Sequence, residues 1–290
     1  MDVPQITRQT TPHRAVRREI ATERGRFAAL DTAPDGDAGM IVLLVPGYTG
    51  SKEDFAPLLN LLADAGPRVV AIDQRGQYQS PGTDDPGAYT VHELGADLVA
   101  VARTLGPSVH LVGHSFGGLV ARAAVLADPS AFASLTLMSS GPGELPAGPR
   151  RAVIEAAEPH LHDMGLERIY DAGQQALAKD PTWQPAPEPL RSFLRQRFVS
   201  GSAHALQHMG RTMLTEPDRV ADLRATGVPT LVVYGRDDNA WSPEAQSDMA
   251  LRLGAREVII DDALHSPAIE NPPATARALL AFWETAPPAS

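Results

Sequence analysis

The chain contains no cysteine in 290 residues, which excludes disulfides, thiolate metal sites and a cysteine nucleophile together. A cysteine-free chain fits a reducing compartment. Long hydrophobic runs are missing too. The longest strongly apolar stretch, Met40-Ile41-Val42-Leu43-Leu44-Val45, falls far short of the ~20 residues needed to span a bilayer. Residues 1–18 lack the apolar core of a secretory leader, so the expectation is a cytoplasmic protein without a membrane span. Positive charge is in deficit: the formal net charge is -10, which argues against nucleic acid as a partner. The one basic stretch, residues 14–26, also holds Glu19 and Glu23 and reads as a solvated segment.

What is present describes an ordinary globular protein, 43% hydrophobic and 21% charged. Strand-like runs at 40–45, 68–72, 109–112, 135–138, 230–234 and 257–260 alternate with helix-like ones at 51–65, 91–105, 117–127, 243–253 and 273–283. A hairpin turning at Gly25 precedes them. Ser51 with Asp54, and Thr90 with Glu93, supply capping pairs at two helix starts. This alternation predicts a parallel sheet covered on both faces. Residues 142–225 break the rhythm. They hold helix-like segments at 152–158, 166–178, 190–198 and 203–213, joined through a connector containing Pro181, Pro185, Pro187 and Pro189. The expected organisation is therefore a core of residues 1–141 and 226–290 with a helical insertion, 142–225.

Gly113-His114-Ser115-Phe116-Gly117 matches the G-x-S-x-G pattern of a nucleophile elbow, a sharp strand-to-helix turn that exposes a serine hydroxyl. Serine is a poor nucleophile and needs a positioned base, usually a histidine oriented by a carboxylate. Such groups follow later strands: Gly235-Arg236-Asp237-Asp238 after one, Asp261-Asp262-Ala263-Leu264-His265 after the next. Parallel strands end on one edge, where ligands bind. Ser115, an aspartate near 238 and His265 can thus converge. His114 reads as structural, its side chain directed away from the nucleophile. His160 and His162, and His204 and His208, lack the glutamate of an H-E-x-x-H site and read as residues of the insertion, not metal ligands.

In this order the blocks resemble the α/β-hydrolase superfamily, in particular a serine esterase-like member with a helical cap. The resemblance runs over residues 40–283 apart from the insertion. Pro46-Gly47-Tyr48-Thr49-Gly50 resembles the oxyanion loop, Asp73-Gln74-Arg75-Gly76 the turn after the next strand, and His265 with Glu270-Asn271-Pro272 the histidine loop. The resemblance implies a mostly parallel sheet of about eight strands flanked by helices, with residues 142–225 as the cap. It also implies a cofactor-independent, metal-free serine hydrolase that cleaves a carboxylic ester, with lactone, thioester or amide as variants. Ser115 would be nucleophile, His265 base and Asp238 acid, because the family's acid stands three residues after the loop glycine. The backbone N–H groups of Tyr48 and Phe116 would form the oxyanion hole.

The partner implied is a small molecule with an apolar acyl part; the sequence leaves the oligomeric state open. The side chains of Tyr48, Phe116 and Trp241 are candidates to line the acyl pocket, the alternative being packing in core or cap. Rival readings keep the fold: a carbon–carbon bond hydrolase, a perhydrolase or haloperoxidase-like enzyme, a cofactor-free oxygenase, or a non-catalytic ligand receptor. Haloalkane dehalogenases and epoxide hydrolases are disfavoured, because those relatives have an aspartate where Ser115 stands. Two departures from the family pattern are visible. Pro46-Gly47 replaces a common His-Gly, and Tyr78 stands where glycine is common.

Overall fold

The computed structural model describes residues 8–34, 36, 39–181 and 183–285; part of the stretch read for a leader, residues 1–7, lies outside them. Eight strands form one sheet: β1 (Val16–Thr22), β2 (Gly25–Asp31), β3 (Ile41–Val45), β4 (Arg68–Ile72), β5 (Val109–His114), β6 (Phe132–Met138), β7 (Thr230–Gly235) and β8 (Arg256–Ile260). Their order is β1-β2-β4-β3-β5-β6-β7-β8. Only the β1–β2 and β2–β4 pairings are antiparallel. All others are parallel.

Burial explains which runs became central strands. β3, Ile-Val-Leu-Leu-Val, and β6 are buried at every position, as expected where helices cover both faces. Those helices are α1 (Ala56–Ala63), α2 (Val91–Leu105) and α3 (Phe116–Ala127). Two apolar clusters follow, one on each face of the sheet. Leu43, Val45, Leu98 and Val120 belong to the first; Val42, Leu44, Leu58 and Leu279 to the second.

The edge is different. β1 exposes most of its side chains, and its charges keep another strand from pairing there. The basic stretch is not simply solvated, as the sequence suggested. Arg18 pairs with fully buried Asp31, and Arg24 with Asp97 and Glu93 of α2. Burying the Asp31 and Asp97 carboxylates requires such partners.

Between β6 and β7 lie α4 (Pro149–Ala157), α5 (Leu161–Met164), α6 (Leu166–Leu177), α7 (Leu190–Val199), α8 (Ala203–Thr215) and α9 (Val220–Ala225). No strand interrupts them among the described residues. Arg122 of α3, only 2% exposed, holds both ends of this excursion. Its guanidinium donates to the Pro142 carbonyl at the exit, and at the return to Glu216 Oε1 at 2.8 Å and to the Pro217 carbonyl at 3.3 Å. The chain closes with α10 (Pro243–Leu253), α11 (Pro267–Glu270) and α12 (Pro272–Trp283). No helix among the described residues is long and apolar enough to cross a membrane.

Candidate active site

Ser115 sits between β5 and α3 with φ +54° and ψ -122°, a conformation an L-residue adopts only under constraint. Its amide donates to the Met138 carbonyl of β6 at 2.9 Å, and its carbonyl accepts from the Gly118 amide at 2.8 Å. Gly117 is required by packing. A Cβ there would lie 2.4 Å from the Pro46 carbonyl oxygen, so only glycine lets the elbow touch the loop after β3.

His265 arrives on the loop after β8. Its Nε2 lies 3.0 Å from Ser115 Oγ, and its Nδ1 lies 2.9 Å from Asp238 Oδ1. The three residues are 5–8% exposed. Asp238 also accepts from the Ala240 amide at 2.9 Å and from Gln246 Nε2 at 3.0 Å. Burial alone would raise its pKa. The hydrogen bond and charge of His265, with the Ala240 and Gln246 donors, outweigh that and hold the carboxyl below the ordinary aspartate value. Asp237 is exposed, and its amide bonds the Ala263 carbonyl at 3.3 Å. The structure therefore brings Asp238, not Asp237, to His265. A serine hydroxyl, an imidazole and an ionised carboxylate in this series form an arrangement suited to nucleophilic attack.

The histidine loop is pinned from several sides. Glu270 Oε2 accepts from the Leu264 and Ser266 amides at 2.8 and 2.9 Å. Gly235 makes room for it, because a Cβ there would meet the Leu264 carbonyl oxygen at 2.0 Å. His114 does more than fill space. Its Nε2–H donates to the His265 carbonyl at 2.7 Å, and it also borders the cavity above Ser115. Burial, reinforced by repulsion from His265, lowers its pKa to about 4, so it buttresses the loop as a neutral ring.

The loop after β3 has its own support. Gln74 Nε2 donates to the Pro46 carbonyl at 2.9 Å, and Gln77 Nε2 to the Gly47 and Tyr48 carbonyls at 2.7 and 3.1 Å. The turn after β4 thus carries a loop that lacks the family's usual histidine. Among the described residues, the Tyr48 and Phe116 amides take no protein acceptor. Tyr78, in the position where glycine is common, adopts φ +38°. Its ring packs edge-on to Phe193, with Lys52 Nζ 4.7 Å from its centroid.

A cavity of about 440 Å³ opens over Ser115 and His265. Tyr48 lines it, and its hydroxyl donates to the Leu206 carbonyl of α8 at 2.7 Å. The other two pocket candidates do not. Phe116, the first residue of α3, is fully buried in the core. Trp241 packs against Gly141, and its Nε1 donates to the Glu144 carbonyl at 3.1 Å, satisfying the one polar atom of a buried indole. The apolar wall comes instead from Leu145, Val153, Ile154, Met213 and Ile269. Among the described residues no three His, Asp or Glu side chains gather as a metal site.

A sequence model of the alpha/beta hydrolase family matches residues 42–278. The "Putative carbamate hydrolase RutD" of Variovorax paradoxus is 33% identical over 216 residues, covering 70% of this chain and 75% of that protein. Among solved structures, a thermophilic esterase from Thermogutta terrifontis superposes with a TM-score of 0.72 at 25% identity, over 94% of this chain and 99% of that one. The enol-lactonase from Burkholderia xenovorans LB400 superposes with a TM-score of 0.75 at 20% identity, over 92% and 100%.

Proposed function

The chain belongs to the alpha/beta hydrolase family and is an enzyme of that family, and from that premise we propose that it cleaves a carboxylic ester through a Ser115–His265–Asp238 triad and an acyl-enzyme. The observation that carries this reading is the unbroken relay of 3.0 and 2.9 Å contacts from Ser115 Oγ to Asp238, opening on a cavity. Ser115 Oγ attacks the ester carbonyl while His265 Nε2 takes its proton. Asp238, kept ionised by its donors, holds the Nδ1–H tautomer and stabilises the imidazolium.

The negative oxygen of the tetrahedral intermediate is bound by the Tyr48 and Phe116 amides. Losing one such donor costs about 2.7–4 kcal/mol of transition-state stabilisation. Collapse expels the alcohol, protonated by His265, and leaves the acyl group on Ser115. Water then enters, gives its proton to His265 and releases the acid. Residues 142–225 act as the cap: they supply Leu145, Val153, Ile154 and Met213 to the cavity wall and so choose the acyl part. The esterase and carbamate hydrolase likenesses support attack on an acyl carbon bearing oxygen or nitrogen.

The test is a fluorophosphonate probe with a panel of p-nitrophenyl esters of increasing acyl length. Wild type should be labelled and Ser115→Ala should not, with ester turnover lost in parallel. Folded wild type that resists labelling, or equal labelling of Ser115→Ala, would sink the reading.

A further inference from the structure

Two arginines enter the wall of the cavity over Ser115, and their situations differ. Arg197 of α7 is committed: its Nη1 donates to Asp54 Oδ1 at 2.6 Å, with both side chains 12% exposed. Arg150, near the start of α4, has no carboxylate within ion-pair reach among the described residues. Its protein partner is neutral, the Asn239 Oδ1 amide oxygen, which accepts from Nε at 3.2 Å and from Nη2 at 2.7 Å. The next residue, Arg151, shows the contrast by pairing with both Glu144 and Glu155.

A guanidinium is a flat fork of five N–H donors that matches a carboxylate two-pronged. Asn239 engages one edge of the fork and leaves Nη1 available. It also fixes where the fork sits, because Asn239 directly follows Asp238. Arg150 is exposed, and its bonds to Asn239 lie at the surface; desolvation lowers its pKa, against the fields of Asp238 and Glu270. Neither carboxylate is free to pair with it. Asp238 is bound to His265 and Gln246, and Glu270 to the Leu264 and Ser266 amides.

We propose that Arg150 binds a carboxylate on the substrate, so that the ester cleaved at Ser115 is an anionic one. The apolar wall formed by Leu145, Ile154 and Met213 then takes a short hydrocarbon segment between that carboxylate and the scissile bond. This rests on the serine-hydrolase reading above and deepens it.

The experiment compares matched esters on wild type, Arg150→Gln and Arg150→Lys. In one pair the carboxylate is in the acyl part, the mono-4-nitrophenyl ester of glutarate against 4-nitrophenyl pentanoate. In the other it is in the leaving part, 4-carboxyphenyl butyrate against phenyl butyrate. In one pair the anionic-to-neutral ratio of kcat/KM should fall about tenfold in Arg150→Gln, mainly through KM, and Arg150→Lys should recover part of it. The pair that responds tells which side carries the charge. Added salt should weaken the wild-type ratio, since the fork is near solvent. Turnover with both ratios unchanged in Arg150→Gln overturns this inference alone. Absence of both probe labelling and turnover overturns the serine-hydrolase reading and this one with it.

Discussion

The backbone at Ser115 is strained for a residue with a side chain, and two substitutions isolate how much. Ser115→Ala removes the hydroxyl and its 3.0 Å contact with His265 but keeps a Cβ at φ +54°, ψ -122°. Ser115→Gly removes the same hydroxyl and the Cβ as well. The difference between the two variants is therefore free of the lost hydrogen bond. Strain of this kind costs about 1–3 kcal/mol. Against it stands the extra freedom of glycine in the unfolded chain, about 0.4–1 kcal/mol. Ser115→Gly should thus be more stable than Ser115→Ala by about 1 kcal/mol, although glycine for alanine ordinarily destabilises. Urea unfolding of both variants gives the answer as a higher midpoint for glycine at an unchanged slope. A glycine variant less stable than the alanine one would refute the idea that the elbow stores strain at Ser115.

Asp238→Asn should lower kcat by about 10⁴-fold, because an amide at this position favours the wrong imidazole tautomer. Asp237→Asn should leave turnover nearly intact; the reverse ranking in steady-state assays would reassign the acid. A second expectation concerns acid stability. Burial lowers His110 to about 4, below its value of about 6.5 in an unfolded chain. The folded state therefore resists a proton that the unfolded state accepts. The stability this contributes is complete above pH ~6.5 and is lost as pH falls towards 4, by up to about 3 kcal/mol. His114 acts with the same sign. Urea titrations from pH 7 to 4.5 should show a shallower loss in His110→Gln than in wild type, and identical slopes would contradict the assignment.

The core and the proposed reacting groups were legible in the sequence because short-range rules govern them. Runs such as Ile41–Val45 announce buried strands. The elbow glycines and the strand-end positions of Asp238 and His265 follow from one parallel sheet. The cavity wall was not legible. Leu145, Ile154 and Met213 meet only after an excursion folds back, through helices as short as Leu161–Met164 and Val220–Ala225 that have too few residues to show a period. Phe116 and Trp241 misled for a related reason. Adjacency to a reacting atom along the chain does not fix side-chain direction; Phe116 turns into the core and Trp241 towards the Glu144 carbonyl. Gln74 and Glu270 stood inside blocks that carried the resemblance, though with no role attached to them, while Gln77 and Gln246 of α10 had no sequence signal at all.

The connection between β6 and β7 has a consequence for redesign. The two strands are parallel neighbours, so the connection is a crossover from the C-terminal end of one to the N-terminal end of the other. Within it, however, residues 143–215 leave and return beside the single guanidinium of Arg122. That segment behaves topologically as an oversized loop, and a graft there need not change strand order. The seam of such a graft is already marked by Arg122, which grips Pro142 on one side and Glu216 and Pro217 on the other. A donor segment joined outside these positions strands a buried guanidinium. One joined inside them inherits an intact socket, with the Tyr48 hydroxyl waiting for a helix carbonyl in place of Leu206.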